Sequence, residues 1–209
     1  MTKLSTIIRD IEFRSAESGG DGRTLSGYAA VFDQDTEIDS YEGQFFERIA
    51  PGAFAKTLRE RKPIMQYNHG FDPRVGTVPI GAFTDIREDQ RGLFVEARLF
   101  DNDVVEPVRQ AIEAHAIGGM SFKFRVVRDD WRDDNGDPLS AKDVASLLYR
   151  PGTRGPLRRT IKEVQLYEAG PVSSPAYAGT SVGVRHQTQT HYSAEDVARR
   201  LRLLEFYRK

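Results

Sequence analysis

Ser121, His69 and two glutamates, Glu163 and Glu168, are the residues of this chain whose types and settings suit acyl transfer. Ser121 stands in GGMSFKF, where Gly118 and Gly119 let the backbone turn sharply and leave room for a carbonyl to approach. This is not the GxSxG elbow of the α/β hydrolases, because Lys123 occupies the place of the second glycine. A serine hydroxyl is a poor nucleophile until a base takes its proton. Imidazole is the side chain whose unperturbed pKa lies near neutrality. Of the histidines, His115 falls on a predicted helix, and His186 and His191 lie in a polar stretch. That leaves His69, in YNHGF, as the best base. A third group should orient the imidazole and stabilise its cation. Glu163 and Glu168 share one predicted strand but sit five apart, so they are expected on opposite faces, and only one can share a site with Ser121. Each residue also has a plainer reading: a serine after a helix stop, a histidine at a strand end, carboxylates on a solvated face.

Other chemistries find little support. The chain has no cysteine, which removes disulfides, thiolate catalysis and thiolate metal sites. There is no HExxH, no GxxxxGK[ST] and no GxGxxG, so no metal site and no nucleotide cofactor is expected. A formal net charge of −1 gives no global field to recruit nucleic acid or an anionic membrane. No apolar run approaches the ~20 residues that span a bilayer. The start, MTKLSTIIRDIEF, does not read as a signal peptide, so a cytoplasmic location is expected.

These residues need elements to hold them. Residues 5–14 and 23–32 read as strands around a Gly-rich turn, followed by a loop carrying Asp33, Asp35, Asp39 and Ser40. A short helix is predicted near 51–60, and a strand over 62–67 leads into His69. Strands follow at 75–87 and 91–100, then a helix over 102–115 capped by Asn102. The strand MSFKFRVV carries Ser121. Residues 129–159 read as an excursion with an acidic turn, a helix at 140–149 and a basic Gly/Pro loop. A strand over 160–169 comes next. Residues 1–184 are expected to form one domain, and 185–209 a polar linker with an amphipathic helix striped by Val197, Leu201 and Leu204. Many strands with few helices argue for an α+β, mostly β domain, and short turns favour a barrel over a doubly wound sheet.

YNHGF, then GGMSFKFRVV, then RTIKEVQLYEAGPVSSPAYAGT, with IAPGAF earlier, resemble the prohead protease family of tailed bacteriophages. That family is related in fold to the herpesvirus capsid assembly proteases. The resemblance covers roughly residues 5–184. It implies a closed, Greek-key-like β-barrel of six to seven strands ringed by a few helices. It implies Ser121 as nucleophile, His69 as base and Glu163 as third member, with Glu168 as runner-up. Oxyanion donors would be Gly170 or Val172, since Pro171 between them has no N–H. The function implied is a serine endopeptidase without cofactor, acting inside the procapsid in the host cytoplasm. Its partners would be the major capsid protein, the scaffold segment and copies of itself. The alternative is a structural or scaffolding protein of the head, sharing the barrel without catalysis.

Overall fold

A computed structural model of the chain describes residues 13–15, 22–40 and 43–173. The proposed tail, residues 185–209, and the first predicted strand up to residue 12 lie outside these. Among the described residues, nine strands join in one mixed sheet. They are β1 (Phe13–Ser15), β2 (Thr24–Val31), β3 (Thr36–Ser40), β4 (Gly43–Ile49), β5 (Ile64–Met65), β6 (Gly81–Glu88), β7 (Gly92–Leu99), β8 (Gly119–Arg132) and β9 (Leu157–Val172). Their hydrogen-bonded order is β1-β2-β7-β6-β5-β9-β4-β3, with β8 added on β9. The helices are α1 (Ala55–Glu60), α2 (Glu106–Glu113) and α3 (Ala141–Leu147).

The mostly-β character is as expected, but the closed barrel is corrected. Among the described residues the ladder is open, running from β1 to β3. β2 and β8 both feed one core cluster, through Ala29 and Ala30 from the first and Met120, Phe122 and Phe124 from the second, but exchange no ladder.

β9 is the organising strand. On one edge it carries β8 in antiparallel register along its whole length. On the other it pairs parallel with β4 at Leu157 to Ile161 and with β5 at Glu168 and Ala169. The gap between β4 and β5 is filled by the α1 region. There the Val164 N–H donates to the Ala53 carbonyl, and the Leu166 N–H to the buried Thr57 hydroxyl. A strand edge that would otherwise leave buried donors orphaned is thereby satisfied.

Several element bounds differ from the sequence reading. The acidic loop after β2 is a hairpin, β3–β4, whose inward positions Phe45 and Ile49 flank the buried Glu47. Arg159 pairs with Glu47 at 3.1 Å, so a charge stands where the alternation calls for an apolar residue. The excursion is shorter than expected, because β8 runs on to Arg132 and β9 begins at Leu157. Its helix starts at Ser140, where the serine and Asp143 form a reciprocal capping box. Helix α2 starts later than expected. Asn102 accepts from the Val104 and Val105 N–H groups and caps a preliminary turn.

Candidate active site

His69 lies on a single turn, Asn68–Gly70, that leaves β5. Asn68, His69 and Gly70 have φ of 46°, 56° and 76°, three consecutive left-handed residues of which only one is glycine. Such a backbone persists only where its surroundings over-determine it. Here the Gly70 N–H donates to the Tyr67 carbonyl, and the Phe71 N–H to the Asn68 carbonyl, each at 2.9 Å. The Asn68 side chain is clasped to the end of β9: the Ser173 N–H donates to Asn68 Oδ1 at 2.8 Å, and Asn68 Nδ2 to Ser173 Oγ at 3.0 Å. From β8, Lys123 Nζ donates to the His69 carbonyl at 2.6 Å.

The His69 ring meets Glu168. Nδ1 stands 2.7 Å from Glu168 Oε2, and the two side chains are 3% and 2% exposed. An ionised carboxylate can only accept, so the ring proton belongs on Nδ1 and the lone pair on Nε2. Nε2, Glu168 Oε1 and Ser121 Oγ are buried and have no hydrogen-bond partner among the described residues.

Ser121 comes to this place through the β8–β9 register. It lies opposite Gly170, and Lys123 lies opposite Glu168. Met120, Phe122 and Phe124 face the core cluster. By strand alternation Ser121 and Lys123 face the other way, together with Glu168. The hydroxyl, the ammonium and the carboxylate therefore share one face of the β8–β9 pair, and the His69 turn meets that face through both Lys123 and Glu168. A buried histidine–carboxylate pair and a serine on the same sheet face are thus brought together from residues distant in sequence.

The caudovirus prohead serine protease family matches over residues 9–195. The chain belongs to that family. A prohead protease relative from Enterobacteria phage HK97 is 30% identical over 135 residues, which cover 61% of this chain and 55% of the relative. The chain thus spans about half the length of that curated prohead protease. The solved capsid assembly protease of bacteriophage T4 aligns over 83% of this chain and 97% of its own, at 12% identity and a TM-score of 0.46.

Two placements differ from the sequence reading. The carboxylate beside His69 is Glu168, while Glu163 is bound by Lys56 of α1 at 3.0 Å. The two glutamates do not face opposite ways either. The register passes from Lys123↔Glu168 to Phe124↔Leu166, leaving Tyr167 as a bulge. Val164, Leu166 and Ala169 all enter the core cluster, so strand parity inverts at the bulge. Glu163 then lies on the same side as Glu168 but about 16 Å farther along β9. Gly170 and Val172, the expected oxyanion donors, lie opposite Ser121 and Gly119. Lys123 was noted in the sequence only for breaking the GxSxG pattern, and its bond to His69 was missed. Its position two residues after Ser121 on a strand was the available signal.

Proposed function

We propose that this chain is a serine endopeptidase acting in phage procapsid maturation, with Ser121 as nucleophile, His69 as general base and Glu168 as the carboxylate that orients it. The observation that carries the reading is the buried His69–Glu168 pair, whose Nε2 has no partner among the described residues, on the sheet face that bears Ser121. In this mechanism Ser121 Oγ attacks the scissile carbonyl carbon as its proton passes to His69 Nε2. Glu168 holds the Nδ1 proton and offsets the imidazolium charge. The C–N bond then breaks, and the amine leaves with the proton from Nε2. Water, deprotonated by the same nitrogen, hydrolyses the acyl ester. The backbone N–H of Gly170 or of Val172 is the expected oxyanion donor. The substrates proposed are the major capsid protein with its scaffold segment, and copies of the enzyme itself.

The test is to incubate the purified protein with its cognate capsid protein and read the fragments by mass spectrometry. Cleavage is expected with the wild type and none above background with Ser121→Ala. Normal processing by the alanine variant would overturn the assignment. A folded wild type that cleaves nothing, even inside assembled procapsids, would favour the structural role.

A further inference from the structure

We propose that Lys123 is a positioning residue of this site, fixing the left-handed His69 turn so that Nε2 is presented to Ser121; the inference rests on the triad proposed above. Lys123 stands on the Ser121 face of β8, directly across from Glu168. A lysine opposite a glutamate ordinarily forms a cross-strand ion pair. Here the ammonium goes instead to the His69 carbonyl at 2.6 Å and lies 4.9 Å from the Phe71 ring centroid. Glu168 is thereby left to accept from His69 Nδ1.

The division of labour is geometric. His69 is held at two points: its ring by Glu168 and its backbone by Lys123. With φ at 56°, its left-handed backbone is a costly state for a residue with a Cβ. A charge-assisted bond to its carbonyl stabilises that state, and such bonds are about twice as strong as neutral ones. Phe71, 76% exposed, carries no burial energy that could hold the turn in its place. The cation bonded to the His69 main chain is therefore carried on the strand that bears Ser121, and this one side chain ties the backbone of the base directly to the strand of the nucleophile.

The experiment measures hydrolysis of a peptide copied from the capsid cleavage site, by wild type and by Lys123→Met, Lys123→Gln and Lys123→Arg, with folded fraction from circular dichroism. Lys123→Met should lower kcat per folded molecule about ten- to hundredfold with KM nearly unchanged, the loss a displacement of about 1 Å produces. Lys123→Arg, which keeps a charged donor, should recover much of it, and Lys123→Gln should fall between. The low-field proton resonance of the His69–Glu168 bond should shift in the Met variant and return in the Arg variant. If Met does not fold, the Gln and Arg variants carry the comparison. Wild-type kcat in every folded variant, or no difference between Arg and its neutral counterparts, overturns the proposal. Ser121→Ala run alongside separates the two readings. Full activity there defeats the triad itself, whereas a dead Ser121→Ala with normal Lys123 variants defeats only the positioning role.

Discussion

At the residue scale, the geometry sets Glu168, the runner-up, beside His69 and Glu163, the glutamate that the resemblance implied, beside Lys56. Glu168→Gln removes the charge beside Nδ1 and allows the wrong ring tautomer, so kcat on peptide should fall about 10³-fold while the protein stays folded. Glu163→Gln should leave kcat at the wild-type value and change stability little, since it loses the solvent-screened pair with Lys56. Equal kinetic losses in the two variants would contradict the placement. Ser121 and His69 were legible in sequence because their neighbours, the glycines before one and after the other, mark abrupt changes of backbone direction. The glutamate that meets His69 was not. Its parity depends on the bulge at Tyr167, and a bulge is a product of pairing between β8 and β9 that no periodicity in β9 announces.

At the element scale, the site depends on one close backbone approach and one side-chain clasp. A Cβ on Gly170 would stand 1.9 Å from the Gln66 carbonyl oxygen, just before the His69 turn, and that oxygen belongs to the main chain and cannot swing aside. Gly170→Ala should therefore destabilise the protein by about 3 kcal/mol, read from urea denaturation. An unchanged midpoint would refute the packing described. The Asn68–Ser173 clasp gives a milder test. Asn68→Ala gives up those bonds and a residue that tolerates φ of 46°, so it should cost about 1–2 kcal/mol and speed amide exchange at Gly70 and Phe71. Exchange rates equal to wild type would show that the clasp holds nothing. Alternation made β2 and β7 readable from sequence. The β3–β4 hairpin was hidden by Glu47, a buried carboxylate whose partner, Arg159, comes from a strand far along the chain.

At the scale of the whole molecule, the excursion between β8 and β9 is tied down by charge. The Asp133 carboxylate, almost fully covered, accepts from Arg154 Nε and from the Asp137 N–H, each at 2.9 Å. The Arg154 guanidinium holds its pKa below the ordinary value of 3.8. A carboxyl with a depressed folded pKa adds stability above its ordinary value and loses it as pH falls through the folded one. Asp133→Asn should therefore lower Tm at neutral pH, and the gap to wild type should close below about pH 4. A gap that stays constant down to pH 2 would refute the ionic origin. β9 sets a different timetable. It supplies Glu168, the cross-strand partners of Ser121 and Lys123, and the edge against which β4 and β5 align, and it is the last described strand to leave the ribosome. Contacts spanning so much chain form late, because loop closure must come before any pairing. Until residue 173 has been synthesised, His69 lacks its carboxylate or its clasp, so a nascent chain carries the histidine and the serine without the partners that hold them in the folded site.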